Sequence, residues 1–320
     1  GYHTALIGKW HLGYQSPDLP NDRGFDFYKG FLGDMMDDYY THLRDGKNWM
    51  RENTKEIDPK GHATDLFSDW AASYINEKAN ADKPFFLFLA YNAPHDPVQP
   101  PQKWLQDVRG RYPEKTKKRQ KMIAFIEHLD HGVGKVLAAL DKNGIADNTI
   151  IIFTSDNGGA LNHGARNLPL RGGKGDMFEG GVRIPCIITW SGTIAPAESH
   201  APLMLMDFFP TLTTIAGAKE VPNLPSVNLT GLLLKNKPLP QNRQMVWMRR
   251  EGHIYGGRIY YAIGLGQKKL IQNSPFEPYA LYTLQNGYWD KKVEGEKEEY
   301  KRLKKALTKH IQMSGKIPWQ

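Results

Sequence analysis

Short apolar runs, separated by amphipathic stretches, dominate the first two thirds of the chain. Helical spacing of apolar residues predicts helices between these runs. Strands that alternate with helices are typical of a parallel α/β sheet, which is the fold class we predict. The runs that predict buried strands are His3 to Gly8, Phe85 to Tyr91, Thr149 to Ser155 and Ile184 to Trp190.

Three helices are predicted from apolar residues that recur at helical spacing. The first covers 64–78, with Thr64 as its N-cap. The second is the longest, and Asn143-Gly144 is expected to end it in the usual C-terminal manner. Asp207 is expected to cap the third. All three fall between or after the predicted strands, as an α/β fold requires.

The pattern changes after residue 218. Residues 219–242 are rich in Pro and Asn and predict a linker or a surface crossing. We therefore predict a large α/β domain over 1–218 and a small α+β domain over 243–320. The small domain is expected to contain a charged helix over about 295–312 and a four-stranded antiparallel sheet. Its predicted strands are Met245 to Arg250, Arg258 to Gly264, Lys268 to Gln272 and Tyr279 to Leu284.

Composition excludes several classes of protein. The 320 residues are 40% hydrophobic and 24% charged, as in a globular protein. The longest apolar runs, Phe85 to Ala90 and Thr149 to Phe153, are far shorter than the ~20 residues that cross a bilayer. The start at Gly1 has neither Met nor signal-peptide features, which predicts that residues upstream are missing. A single cysteine, Cys186, excludes an internal disulfide, and its apolar neighbours predict a buried, inert thiol.

The formal net charge of +8 favours polyanionic partners such as nucleic acid, acidic lipid or sulfated polysaccharide. Much of this charge lies in two runs, Lys115 to Lys121 and Lys291 to Lys309. Glutamates are interleaved with the second run, so we interpret both runs as solvated helix faces. No nucleic-acid partner is predicted.

Polar motifs follow the predicted strands, where ligands of open parallel sheets bind. Gly8-Lys9-Trp10-His11 follows the first strand, and an extended chain would place Lys9 and His11 on the same side. A cation beside an imidazole suits an anion and a proton transfer. A surface lysine and a structural histidine are the alternative.

The motif after the second strand is Asn92-Ala93-Pro94-His95-Asp96-Pro97, in which prolines stiffen a loop that holds one histidine. Such a loop serves positioning better than it serves packing. The motif alone leaves both interpretations open.

Ser155-Asp156-Asn157-Gly158-Gly159 follows the third strand. Its carboxylate and amide oxygens are the hard ligands that calcium or magnesium takes. A simple Asx turn is the alternative.

A glycine-rich stretch surrounds Lys174 and continues into Glu179-Gly180-Gly181-Val182-Arg183-Ile184-Pro185. Glycines let backbone and ammonium approach an anion closely, although the stretch lacks the Ser or Thr of a P-loop. A flexible surface lysine is the alternative.

Taken together and in this order, the four motifs resemble those of the sulfatase family. Gly1 to His11 is similar to the family's second signature, and the resemblance runs from residue 1 to about 218. It continues more loosely into Lys268-Lys269-Leu270-Ile271 and Tyr279-Ala280-Leu281-Tyr282. The resemblance implies an alkaline-phosphatase-like fold: a mixed, mostly parallel sheet between helices, with a small C-terminal antiparallel domain.

The resemblance also implies the roles of individual residues. Asp156 and Asn157 match two calcium ligands of the family, and Lys9 matches the lysine that contacts the nucleophile and the sulfate. The remaining matches are His11, which would hold a hydroxyl of the hydrated aldehyde and later help to expel sulfate, and the pair His95 and Lys174, which would bind the sulfate and the bridging oxygen. All six are expected to meet around one oxyanion pocket.

Two elements of the family pattern do not occur in the sequence. Family members carry Cys-x-Pro-Ser-Arg, or its Ser variant, whose first residue is oxidised to formylglycine and becomes the nucleophile. Neither this string nor the early strand with paired aspartates is present. We expect both upstream of Gly1, together with a maturation enzyme that makes formylglycine. Residues 1–320 alone are predicted to have no turnover and to bind calcium poorly.

Weaker candidates remain. His163 and Arg166 lie between the metal turn and the lysine loop and are candidate substrate-binding residues. Asp34, Asp37 and Asp38, with the tyrosines that follow, form an acidic-aromatic patch that either lines a sugar subsite or is an ordinary surface loop.

The predicted substrate is a sulfate ester of a sugar, a polysaccharide or an aryl alcohol. Two alternatives stay open: a phosphodiesterase or phosphonate monoester hydrolase of the same superfamily, and a non-catalytic module that binds sulfated glycans. The resemblance implies a periplasmic or secreted protein, with a cytoplasmic location still open.

Overall fold

The computed structural model describes residues 1–240, 242–251, 256–285 and 288–316. These residues fold into two compact units. Unit 1 contains Gly1–Thr149 with Asn162–Ala165, and unit 2 contains Ile150–Leu161 with Arg166–Gln320. The predicted domain boundaries at 218 and 243 remain predictions, and the parts of the predicted small domain at 252–255, 286–287 and 317–320 lie outside the described residues.

Unit 1 is built on a five-stranded sheet in the order β6-β5-β2-β1-β7. Strand β1 is parallel to both of its neighbours, β2 and β7, whereas β5 and β6 add an antiparallel edge. The elements of unit 1 are β1 His3–Lys9, β2 Phe27–Phe31, β3 Leu43–Arg44, β4 Lys47–Asn48, β5 Met50–Glu52, β6 Lys55–Glu56, α1 Ala63–Lys78, β7 Phe85–Ala90, α2 Gln102–Arg111 and α3 Lys117–Lys142. The predicted parallel α/β arrangement is confirmed here.

The core of unit 1 lies between this sheet and the helices α1 and α3. Ala5 and Ile7 of β1 are fully buried against Phe67 of α1 and Phe125 of α3. Burying a large apolar side chain contributes ~1.5–3 kcal/mol, so this layer holds β1 in place. The carboxyl end of β1, where the polar motif begins, is therefore rigidly supported.

Unit 2 contains two separate antiparallel sheets. One pairs β8 with β9, and the other has five strands in the order β10-β11-β12-β13-β14, one more than the sequence pattern predicts. The sequence pattern does not predict β14. Its residues Lys291 and Lys292 belong to a basic run that is typical of a solvated helix face. The elements of unit 2 are β8 Ile151–Thr154, α4 Glu179–Val182, β9 Cys186–Thr189, α5 Phe208–Ile215, α6 Thr230–Lys235, β10 Gln244–Arg250, β11 Ile259–Leu265, β12 Lys268–Gln272, β13 Ala280–Gln285, β14 Tyr288–Val293 and α7 Lys297–Ser314.

One of the two predicted helix caps differs from the observed one. The N-cap of α1 is His62, not Thr64, and its Nδ1 accepts a hydrogen bond from the amide of Thr64 at 3.1 Å. Asp207 is the N-cap residue of α5, as predicted, although its side chain bonds no amide of that helix. Its carboxylate accepts a hydrogen bond from Met204 N at 2.7 Å, in the turn before α5, and two from Arg243, at 2.6 and 2.7 Å.

Several strands predicted to be buried are buried on one side only. Phe86 and Phe88 of β7 are 42% and 50% exposed. The residues that alternate with them pack against the apolar cluster that includes α1, namely Phe85, Leu87 and Leu89. Cys186 is also exposed, contrary to prediction, since it lies in the small β8–β9 sheet and has only a partial apolar cover. Among the described residues, no helix has both the length and the apolarity that a membrane crossing requires.

Candidate active site

Lys9 is the last residue of β1, and His11 follows it on a backbone that has left the strand. The φ angle of His11 is +63°, so the backbone is not extended at this residue. The expectation that Lys9 and His11 lie on the same side assumed an extended chain and therefore does not apply. Two hydrogen bonds still tie this segment to the neighbouring chain: Trp10 N to Phe31 O at 2.9 Å and His11 N to Leu32 O at 3.0 Å. Lys9 is half-buried and His11 is exposed at the end of the sheet.

His95 lies on the loop after β7, the strand that pairs with β1. Gly8 and Ala90 are register partners in parallel strands, so Lys9, His11 and His95 all leave the sheet at the same edge. The Nδ1 atom of His95 lies 2.9 Å from the carbonyl oxygen of Asp96. A carbonyl only accepts, so Nδ1 carries the proton and Nε2 is the nitrogen that takes up or releases another.

His163 is joined to this loop by a direct contact. Its Nδ1 lies 2.9 Å from a carboxylate oxygen of Asp96. The structure therefore brings His163 to the His95 loop, 67 residues after Asp96 in the chain. Arg166, the other weak candidate, belongs to unit 2 and is exposed.

The acidic-aromatic patch is organised by Arg44. This side chain bonds Asp34 at 3.0 and 3.3 Å and Asp37 at 3.0 Å. Burial acts to raise the pKa of Asp34, but hydrogen bonds from the Met35 amide and from Arg44 hold that pKa below its usual value. Asp38 is separate from this arrangement, because its carboxylate accepts from Gln99 at 2.6 Å.

In unit 2, the Ser155-to-Gly159 turn is closed by short-range hydrogen bonds. Asn157 Nδ2 donates to Gly158 O at 3.0 Å, which leaves the amide oxygen Oδ1 as the ligand atom of this side chain. Asp156 is exposed, and within the described part of the chain no hydrogen bond or ion pair engages its carboxylate. A β-carbon on Gly158 would lie 1.8 Å from Gly180 O, so the close approach requires glycine here.

The Lys174 loop is held directly against this turn. Lys174 N donates to Gly159 O at 3.1 Å, and Gly158 N donates to Gly181 O at 2.9 Å. Asn167 joins the two segments: its Oδ1 accepts from Gly159 N at 3.1 Å, and its Nδ2 donates to Gly159 O at 2.9 Å and to Gly172 O at 3.0 Å. The proposed metal ligands and Lys174 therefore share one hydrogen-bonded framework.

The donor set fits a hard cation in part. Asp156 and Asn157 supply side-chain oxygens, the ligand type that calcium takes, but calcium needs six to eight oxygens in all. These two residues would therefore provide only a fraction of a calcium shell.

A second group with metal-ligand chemistry lies in unit 1. The ligand atoms of His62, Asp65 and His128 lie within 4.8 Å of one another. Both nitrogens of His62 are already engaged, Nδ1 with the Thr64 amide and Nε2 with Gln99 O at 3.0 Å. His128 Nε2 lies 3.1 Å from Asp65 Oδ1. These contacts are typical of a structural histidine cluster that fixes the start of α1.

Several residues that support these loops carry little or no sequence signal of their own. Asn92 is 4% exposed, and among the described residues its amide atoms find no hydrogen-bond partner. The proline-flanked motif is the one available signal for Asn92 and Asp96. Asn167 belongs to none of the four motifs, although its partners Gly159 and Gly172 lie only eight and five positions away. Asn273 has no such signal either, because its side chain contacts Asp176 and Met177, 97 and 96 positions away.

The fold belongs to the alkaline-phosphatase-like class, with a mixed sheet packed against helices and a C-terminal antiparallel sheet. The chain matches the family model described as Sulfatase over residues 1–218. It belongs to the sulfatase family.

Similar proteins include N-acetylgalactosamine-6-sulfatase of Mus musculus, 32% identical over 288 residues, which cover 84% of this chain and 52% of the relative. An uncharacterized sulfatase of Escherichia coli strain K12, YdeN, is 30% identical over 285 residues, 80% of this chain and 49% of the relative. The chain thus spans about half the length of these relatives.

Among solved structures, Ps i-CgsB superposes with a TM-score of 0.85 and 31% identity, over 98% of this chain and 71% of that one. The same protein has been crystallised in complex with k-i-k-neocarrahexaose.

Proposed function

We propose that the protein is a sulfatase that hydrolyses a sulfate ester of a sugar. Its family membership supports the reaction type, and the mouse relative named for N-acetylgalactosamine 6-sulfate supports a sugar substrate. The complex of Ps i-CgsB with a neocarrahexaose adds a second relative that binds a saccharide. The observation that carries the proposal is the hydrogen-bonded framework that holds Lys174 against the Asp156–Asn157 turn.

In this proposal Lys9, His11, His95 and Lys174 are the catalytic residues. The S–O bond to the leaving alcohol breaks as the sulfuryl group passes to the nucleophile, and negative charge builds on the bridging oxygen. Lys174 stabilises that charge through its ammonium, and His95 Nε2 provides a proton to the oxygen. Such groups accelerate the reaction because they interact more strongly with the transition state than with the ester.

We further propose that Lys9 and His11 orient the nucleophile, a formylglycine made by a maturation enzyme from a residue upstream of this chain. Asp156 and Asn157 provide part of a calcium shell. Calcium, when bound, supplies positive charge to the sulfate oxygens. His163, which Asp96 holds beside the His95 loop, is a substrate-binding candidate in this scheme. Arg166 is a weaker one, because its guanidinium is exposed.

The residues 1–320 alone are proposed to be inactive, because the Cys-x-Pro-Ser-Arg string and its Ser variant are absent from them. We propose a periplasmic or secreted location for the whole protein.

The test compares 4-nitrophenyl sulfate with 4-nitrophenyl phosphate, using the full-length protein and a sulfated N-acetylhexosamine as a third substrate. The expected result is release of sulfate from the sugar and from the aryl ester, and loss of both activities after treatment with a calcium chelator. Preferential hydrolysis of the phosphate ester would assign the protein to the phosphoryl-transfer branch of the superfamily instead.

A further inference from the structure

The segment after Lys174 is bound along one face of strand β12. Side chains alternate along a strand, so Lys269 and Ile271 of β12 share a face, and Asn273 follows directly after the strand. Lys269 bonds Glu179 at 2.7 Å, and Asn273 Nδ2 donates to Asp176 Oδ1 at 2.9 Å. Ile271 lies between them in sequence and is buried in the same apolar cluster as Met177. Two positions on one face of β12 and the residue just beyond its end therefore contact residues 176–179.

The Lys269–Glu179 ion pair is deeply buried. The two side chains are 0% and 5% exposed, and Lys269 Nζ also lies 4.2 Å from the centre of the Trp247 ring. Burial lowers the pKa of Lys269, while the Glu179 carboxylate acts to raise it. A buried pair of this kind contributes less to net stability than to specifying one arrangement of the chain, because desolvation opposes its attraction.

The Asn273 side chain makes two hydrogen bonds to the same segment, one as donor and one as acceptor. Besides its bond to Asp176, it accepts a hydrogen bond from Met177 N at 2.6 Å. Asp176 in turn closes the turn around Lys174, since its Oδ2 accepts from Gly173 N at 2.8 Å and its amide donates to Gly173 O at 2.9 Å. The Asn273 amide is thus two hydrogen bonds away from the backbone that flanks Lys174.

Strand β10 of the same sheet supplies another contact to this loop. Arg249 Nη1 donates to Gly175 O at 3.2 Å, and Arg249 also binds Glu251 with two hydrogen bonds of 2.6 and 3.1 Å. These bonds lower the pKa of Glu251, and the charge of Lys174 lowers it further. Gly175 has a φ of +96°, and a β-carbon there would lie 2.5 Å from Arg249 Nη1. The loop is therefore shaped to fit the sheet.

We propose that the C-terminal sheet positions the catalytic lysine, with Asn273 and the Lys269–Glu179 pair as positioning residues for Lys174. The inference rests on the proposed function. A loop with glycines at 172, 173 and 175 has many accessible conformations, and the contacts with β12 select one of them. The sheet then contributes to the rate although none of these three side chains touches the reacting atoms.

The experiment measures kcat and KM of the full-length protein carrying Asn273→Ala, on a sugar sulfate and on 4-nitrophenyl sulfate. Lys174 stabilises charge on the leaving oxygen, so a misplaced Lys174 slows a poor leaving group more than a good one. We expect kcat on the sugar sulfate to fall by about 10- to 100-fold with little change in KM. The fall on the aryl ester should be several-fold smaller, and Lys174→Ala should show the same preference.

Two matched controls come from the same strand. Lys268 pairs with Glu296 at the surface and Gln272 donates to Glu277 O, so Lys268→Met and Gln272→Ala should leave both rates near the wild-type values.

The Lys269–Glu179 pair is tested with a double variant. Lys269→Met alone removes the cation from a buried carboxylate and risks unfolding, so it is combined with Glu179→Gln. This double variant should reproduce the leaving-group preference of Asn273→Ala.

In a Lys174→Ala background, Asn273→Ala should cause almost no further loss of rate. An equal loss on both substrates, or a loss that multiplies with that of Lys174→Ala, would show a general structural effect and overturn the inference. Wild-type kinetics of Asn273→Ala beside an impaired Lys174→Ala would overturn this inference alone. A fully active Lys174→Ala variant would overturn the proposed role of Lys174 and this inference with it.

Discussion

Replacing Asn167 by alanine tests the framework that joins the Asp156–Asn157 turn to the Lys174 loop. The side chain of Asn167 makes three hydrogen bonds, one as acceptor and two as donor, to backbone atoms of Gly159 and Gly172. Alanine removes all three and leaves two carbonyls and one amide without this partner. Aspartate at the same position keeps the acceptor and loses both donors.

The expected magnitude follows from the count of bonds. One intramolecular hydrogen bond contributes about 0.5–1.5 kcal/mol, so three give about 1.5–4.5 kcal/mol. Asn167 is only half-buried, and water can replace part of the loss, so we expect the lower end, about 2 kcal/mol. The free energy is lost locally. Amide hydrogen exchange at Gly159 and Lys174 should therefore quicken by roughly 30-fold if about 2 kcal/mol of local protection disappears.

The assay is hydrogen exchange of the full-length protein, followed at the peptides that contain these two amides, together with calorimetric titration by calcium. Asn162→Ala is the matched control, because the side chain of Asn162 is exposed. Weaker calcium binding should accompany the faster exchange. Unchanged exchange in Asn167→Ala, or equal changes in the two variants, would refute the reasoning.

Two further predictions concern stability. Burial lowers the pKa of His62 to about 4, so the unfolded state binds more protons than the folded state between about pH 4 and 6.5. As the pH falls through this window, the protein should lose about 3 kcal/mol of unfolding free energy. The His62→Asn variant should lose less unfolding free energy over the same window, and a denaturation midpoint that does not change with pH would contradict the prediction. Asp207→Ala leaves the buried Arg243 without its carboxylate and should cost about 3–5 kcal/mol in urea unfolding, whereas the exposed Asp147→Ala should change little.

Much of the unit 1 sheet could be predicted from the sequence, because its long strands carry their own pattern. The strands at His3 and Phe85 stand out as apolar runs next to glycine or proline. The two- and three-residue strands β3 to β6 lack such a pattern, since their pairing depends on tertiary contacts. Strand β14 was missed because its lysines suggested a solvated helix.

The sequence likewise predicts some residues of the candidate site and not others. The proposed catalytic residues occur in compact motifs, so Lys9, His95 and Lys174 could be selected from spacing and resemblance. The residues proposed to position Lys174 act across long sequence separations, as Lys269 does with Glu179, 90 positions away. A buried lysine in a strand looks like any other lysine in the sequence. Only the structure distinguishes it.

The central proposal is that His95 and Lys174 act on the same bond in the same step. The most direct measurement is a double-mutant cycle on sulfate release from a sugar sulfate by the full-length protein, with Lys118→Ala as an exposed control. Each single alanine variant should lower kcat/KM by at least about 100-fold, and the double variant should lose far less than the product of the two losses. Strictly multiplicative losses, or a single variant with wild-type activity, would contradict the account.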